Sequence, residues 1–127
     1  MAKMRSFRDL LVWQKSMDLT LRCYQVTDSF PRHEIFGMTS QLRRAAYSIP
    51  FNLSEGHCRR RSREVYKNHV DIAQGSQGEL DNAIELAFRL GYLTEAIANE
   101  LFERVTEVGR MLSGLADALE HGKNPDP

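Results

Sequence analysis

Apolar residues recur along this chain at helical spacing. Ile35, Met38, Leu42, Ala45, Ile49 and Leu53 are separated by 3, 4, 3, 4 and 4 positions, the repeat of one face of an α-helix. Ile97, Leu101, Val105, Val108, Leu112, Leu115 and Leu119 repeat the pattern with steps of 4, 4, 3, 4, 3 and 4. An amino-terminal stripe runs through Leu10, Trp13, Met17, Leu21 and Tyr24, and another through Tyr66, Val70, Ala73, Gln77, Leu80, Ile84, Ala87 and Leu90. Period-two alternation, the mark of a half-buried strand, is absent. The pattern therefore predicts four helices and no sheet.

Punctuation residues place the boundaries. The first helix is expected from about Arg8 to Asp28, because Phe30 precedes a proline and is steered away from helical backbone. Pro31 suits the first turn of a second helix, expected over Arg32–Arg59, with Glu34 complementing the dipole there. Pro50 lies inside the second stripe. It lacks an N–H for Ala46, and the periodicity continues to Leu53, so a kink is expected rather than a break. Gly56 is expected to end or loosen this helix. Ser62 is placed to cap a third helix over Arg63–Leu90, and Gly91 to close it. Gly75 and Gly78 each cost that helix about 1 kcal/mol relative to alanine, so a close-packed backbone is expected there, at Gly75 in particular, the alternative being that the helix is simply weak at this point. Thr94 is placed to cap the fourth helix.

Four helices with short connections pack as antiparallel neighbours, which predicts an all-α, up-down-up-down four-helix bundle. The chain of 127 residues suits one domain with a core of its own, expected over residues 1–121. The polar tail 122–127 is expected to be disordered. With 42% apolar and 27% charged residues, the composition is that of an ordinary globular protein. No segment is apolar over the 18 residues a membrane helix needs, and the start of the chain lacks the apolar stretch of a signal peptide. Cys23 and Cys58 are expected to be free thiols, and the cytoplasm is the expected location.

Catalytic signatures are missing. Di-iron bundles need two Glu-x-x-His motifs, and none occurs. His33, His57, His69 and His121 are scattered, and the adjacent His57-Cys58 lacks two further ligands at suitable spacing. There is no nucleophile elbow and no phosphate loop. Hence no enzyme activity, metal, cofactor or small-molecule substrate is expected. Glu55 and Glu79 sit near stripes and are expected to be partly buried, paired with Arg43 or Arg44.

Charge changes the picture. The net charge is zero, yet residues 1–67 hold 13 Lys/Arg against 6 Asp/Glu, while residues 68–127 hold 4 against 11. The basic half concentrates in Arg43, Arg44, Arg59, Arg60, Arg61, Arg63 and Lys67, opposed within that span only by Glu55 and Glu64. Arginine forks donate paired bonds to phosphate, and neutralising phosphates releases counterions whatever the base sequence. The same cluster can be solvated, or can pair with the acidic fourth-helix face, Glu95, Glu100, Glu103 and Glu107, of its own or another subunit.

Several segments carry a family resemblance. They are Leu10-x-x-Trp13-Gln14, Phe30-Pro31-x-x-Glu34, Gly37-Met38-x-x-Gln41-Leu42-Arg43-Arg44-Ala45-Ala46-x-Ser48-Ile49-Pro50-x-Asn52-Leu53-x-Glu55-Gly56, Ile72-Ala73-x-Gly75-Ser76-x-x-Glu79 and Leu90-Gly91-Tyr92-Leu93. Together they resemble the small proteins encoded in intervening sequences of bacterial 23S rRNA genes. Departures are mild, such as Met38 where leucine is common. The resemblance implies a four-helix bundle that assembles as a homopentamer. It is similar to the accessory protein of diversity-generating retroelements, a basic pentameric barrel proposed to bind nucleic acid. It implies no catalytic residues. The reading that results is a non-enzymatic homo-oligomer binding RNA or DNA backbone through its arginines. The rival is a protein–protein scaffold whose charge split serves self-assembly alone.

Overall fold

The computed structural model describes residues 6–122, so the expected tail lies almost wholly outside the described residues. Four helices follow one another: α1 (Leu11–Thr27), α2 (Met38–Cys58), α3 (Arg63–Arg89) and α4 (Glu95–Glu120). No strand occurs among the described residues. Each helix packs on its sequence neighbour, and α4 returns to α1, closing the bundle. Side-chain bonds give the directions. Thr20 reaches Ala46 while Arg43 reaches Thr27, so α1 and α2 are antiparallel. Ser48 meets Ser76 and Asn52 meets His69 across α2 and α3. Gln77 meets Val105 and Lys67 meets Glu120 across α3 and α4. The result is the up-down-up-down bundle.

The stripes of α2, α3 and α4 supply most of the core: Leu42, Ile49, Leu53, Val70, Leu80, Ile84, Leu101 and Leu112 are all fully buried. The α1 stripe differs from the expected one. Leu21 and Tyr24 are exposed, and the buried face is Val12, Ser16, Leu19, Thr20, Cys23, Val26 and Thr27. Three of those seven are hydroxyl residues. They enter the core because Ser16 Oγ donates to the Trp13 carbonyl (3.0 Å) and Thr27 Oγ1 to that of Cys23 (2.7 Å), and a satisfied hydroxyl costs little to bury. Trp13 is half-buried against Phe7, edge-on at 5.2 Å.

α2 begins at Met38 rather than Arg32. Residues Arg32–Glu34 form a single 3-10 turn after Pro31, and Ile35 is exposed instead of joining the core. Glu34 does act at a helix start, one turn later than expected. Its Oε1 accepts from the Met38 N–H (3.1 Å) and its Oε2 from the Tyr92 hydroxyl (2.7 Å). That hydroxyl holds the Glu34 carboxyl below the usual range, helped by the Met38 N–H. A Cβ at Gly37 would clash with Glu34 Oε1. The Phe-Pro-x-x-Glu, Gly-Met and Leu-Gly-Tyr segments thus meet in one knot at this end of the bundle.

The helix passes through Pro50 unbroken, with the proline ring buried. The carbonyl that Pro50 cannot serve belongs to Ala46. Thr20 Oγ1 of α1 lies 3.2 Å from it and 2.8 Å from the Ser16 carbonyl. A neighbouring helix therefore brings a hydroxyl to this gap, its one proton shared between the Ala46 and Ser16 carbonyls.

Three glycine and stripe expectations are corrected. Gly56 does not end α2; it is buried inside it, and a Cβ there would stand 2.8 Å from the His69 Cβ and 3.0 Å from Tyr66. Gly56 is thus the point of close approach between α2 and α3. Gly75 and Gly78 have nothing within 4 Å of where a Cβ would lie, so no backbone of the same chain packs on them. A third close glycine, after Gly37 and Gly56, is Gly109 on α4, where a Cβ would meet Gln77 Nε2 at 2.7 Å. Leu90, finally, lies half exposed beyond the end of α3.

Candidate nucleic-acid interface

The α2–α3 turn is short and held by several backbone bonds. The Arg59 N–H donates to the carbonyls of Glu55 and Gly56 (3.2 and 3.1 Å), Arg60 to His57 (3.2 Å) and Ser62 to Arg59 (3.1 Å). Ser62 Oγ then caps α3 by accepting from the Val65 N–H (3.2 Å). The contact of Gly56 with Tyr66 and His69 fixes how α3 leaves the turn. Arg59, Arg60, Arg61 and Arg63 are all exposed on this rigid corner.

Their side chains are held to different degrees. Arg59 Nη2 faces Glu55 at 3.9 Å, both well exposed, a geometry that contributes little. Arg60 folds back, donating to the His57 carbonyl at 3.0 Å. Arg61 has no ion pair among the described residues. Lys67 pairs with Glu120 of α4.

The two remaining members of the cluster stand apart. Arg43 lies between α1 and α2. Its Nε donates to Thr27 Oγ1 (2.8 Å), its Nη2 lies 3.7 Å from Asp28, and its guanidinium stacks on Tyr24 at 4.6 Å. Arg44 is exposed on the outer side of α2, 15 residues and so about 22 Å of helix from Arg59. The seven basic residues are therefore not one patch. Glu55 and Glu79 are exposed rather than partly buried, and neither pairs with Arg43 or Arg44.

Two features escaped the sequence. Arg8, on the 3-10 turn Phe7–Asp9, stacks on Phe7 at 4.7 Å. That turn packs on α2, and the antiparallel register puts it at the Arg59 end. A shallow groove of about 510 Å³ also opens between α1 and α2, lined by Tyr24, Phe36, Arg43, Arg44 and Tyr47. Its signal in the sequence is the absence of any Asp or Glu between Ile35 and Ser54.

Part of the charge split is consumed inside the chain. Arg22 grips Glu100 with two bonds of 2.8 Å, Arg104 adds a third at 3.1 Å, and Lys15 meets Glu107 at 3.3 Å. The Arg22 hydrogen bond holds the Glu100 carboxyl below the usual glutamate range. Beneath this network burial pushes the Cys23 thiol up to about 12, so it stays protonated. Both cysteines are free. No group of three His, Cys, Asp or Glu suited to a metal occurs among the described residues. No described helix is long and apolar enough to cross a membrane.

The sequence that forms this bundle matches a known family. Residues 8–114 match the model of the 23S rRNA-intervening sequence protein family. This chain is a member of that family. It is also similar to a solved structure from Bacteroides thetaiotaomicron, described as a protein with unknown function from the S23 ribosomal protein family. The TM-score is 0.78 with 24% identity, covering 87% of this chain and 98% of that one, a likeness of fold. No curated protein matches the chain.

Proposed function

We propose that this member of the intervening-sequence family is a non-enzymatic, self-assembling bundle that holds the phosphate backbone of RNA or DNA in the cytoplasm. The carrying observation is the α2–α3 corner, where Arg59, Arg60, Arg61 and Arg63 are exposed together on a short turn held by backbone bonds from the Arg59, Arg60 and Ser62 N–H groups. A rigid corner costs little ordering entropy on binding, and guanidinium forks suit phosphate oxygens. Arg8 extends the positive surface, whereas Arg44 lies too far along α2 to join it. Arg43 and Lys67 contribute charge while engaged at Thr27 and Glu120. The homopentamer that the family resemblance implies would repeat this corner around a ring, multiplying weak contacts.

The scaffold alternative sets Arg59–Lys67 against the acidic face of a neighbour's α4. Glu100 and Glu107 already have partners on α1 of their own chain, which leaves that face less to offer.

Binding of a structured RNA, measured across salt concentrations, tests the proposal. Log affinity should fall linearly with log salt. Changing Arg59, Arg60 and Arg61 together to alanine should reduce the slope by roughly 2 to 3, near 0.7–0.9 for each phosphate no longer neutralised. A flat salt response, or a triple variant that binds as before, refutes it.

A further inference from the structure

α3 and its C-cap carry an outward stripe, aliphatic at three of five positions, that their own bundle does not use. Ile72, Gly75, Glu79, Leu86 and Leu90 follow one another at steps of 3, 4, 7 and 4, again helical spacing. The three aliphatic members are 48–52% exposed. His69 and Ser76 touch α2, and Ile72 and Glu79, three residues farther on, lie one step round the helix, outside the α2–α3 seam. On the other side of the seam α2 presents Arg44, Tyr47 and Phe51, with Phe36 just before the helix. Phe51 is 60% and Phe36 96% exposed, and the rings of Tyr47 and Phe51 pack at 5.0 Å. Apolar surface gathered in this way marks a contact.

Two further observations say what covers it. Gly75 weakens α3 by about 1 kcal/mol relative to alanine, yet among the described residues no other element comes within 4 Å of where a Cβ would lie. The charges also divide by helix: residues 35–54 contain no Asp or Glu, and residues 68–88 no Lys or Arg.

We infer that the α2 side of this surface in one copy of the chain docks against the α3 stripe of a second copy. This deepens the self-assembly part of the proposed function and rests on it. The Ser48–Ser76 bond sets the heights. Residues whose numbers sum to about 124 lie level in these antiparallel helices, which rise about 1.5 Å per residue. A rotation axis parallel to the helices relates copies without changing height. It brings Arg44 to Glu79 of the second copy, Phe51 to Ile72, and Phe36 to Leu86 and Leu90. The Tyr47 ring then lies over the bare backbone at Gly75, which gives that glycine its reason. A nucleic acid fits the surface less well, because half of it is aliphatic and acidic.

Light scattering on the full chain, with circular dichroism to confirm folding, tests the pairing. The protein should be a multimer. Arg44→Glu and Glu79→Arg should each lower its mass at a given concentration, and the two changes combined in one chain should restore it. In a Cys58→Ser background, a chain carrying Tyr47→Cys mixed with one carrying Gly75→Cys should give a disulfide-linked pair on mild oxidation. A multimer of unchanged mass in every variant, with no cross-link in the mixture, overturns the inference and leaves self-assembly through another face. A monomeric wild-type protein overturns both. Variants that keep their mass but lose RNA binding would assign this surface to nucleic acid and overturn it as well. The Arg59–Arg61 variant is read separately, so the phosphate-binding reading stands or falls on its own.

Discussion

The donor that Thr20 lends to α2 can be isolated by a double-mutant cycle. Thr20→Val keeps the shape of a side chain that is only 7% exposed and deletes its hydroxyl. The Ser16 carbonyl keeps its helical bond from the Thr20 N–H, so its loss is small. The Ala46 carbonyl lacks that helical i+4 donor, because Pro50 has no N–H. Leaving one buried acceptor unpaired costs about 1–3 kcal/mol. For a domain of this length that lowers Tm by roughly 4 °C per kcal/mol. Pro50→Ala restores the backbone donor while removing a buried ring, so its own sign is not informative; the coupling is. In the Pro50→Ala background Thr20→Val should cost at least about 1 kcal/mol less than in the wild-type chain. Urea unfolding of the four proteins at one fixed concentration measures this. If the cost of Thr20→Val is the same in both backgrounds within about 0.5 kcal/mol, the usual margin of additivity, the hydroxyl does not serve the Pro50 gap and the account fails.

Three other outcomes follow from the same geometry. Gly56→Ala should destabilise by roughly 1–3 kcal/mol, the cost of overpacking, because its new methyl would meet the His69 Cβ and Tyr66, which cannot swing away. Denaturant midpoints would show it. Gly78→Ala should do the reverse and stabilise by about 1 kcal/mol, since the site is open; a destabilised variant would contradict the helix account of α3. Glu100 has a folded pKa below its ordinary 4.5, chiefly through Arg22. Its contribution is therefore present above pH 4.5 and lost as pH falls through the lower folded value. Thermal melts from about pH 6 to 3 should accordingly show a shallower acid loss for Glu100→Gln than for the wild-type chain.

Much of the bundle was legible because three of its helices bury one regular stripe each, and a period of 3.6 survives in a one-dimensional string. α1 was misread because its buried face uses serine and threonine, which look polar in sequence. Only the carbonyl geometry around them shows that Ser16, Thr20 and Thr27 are satisfied. Glu34 was read correctly as a helix-start residue and placed one turn early, since the partner that fixes it, Tyr92, lies 58 positions away. The arginine corner was visible as a run of charge. What the run could not show was that Arg43 is spent on Thr27 and Tyr24, that Arg44 stands a long way along α2, or that Arg8 comes to the same end.

The sequence alone determined four helices, their antiparallel order and the position of the arginine turn, because periodicity, proline, glycine and chain length are local quantities. It also marked Gly56 and Gly75 as unusual, but for reasons the fold corrected. Tertiary structure decided the reasons. Gly56 is where α3 crosses α2, Gly75 faces outward, and the carbonyl left bare by Pro50 is met by a hydroxyl from another helix. These depend on which side chains lie level across a seam, and that is fixed only when the helices pack.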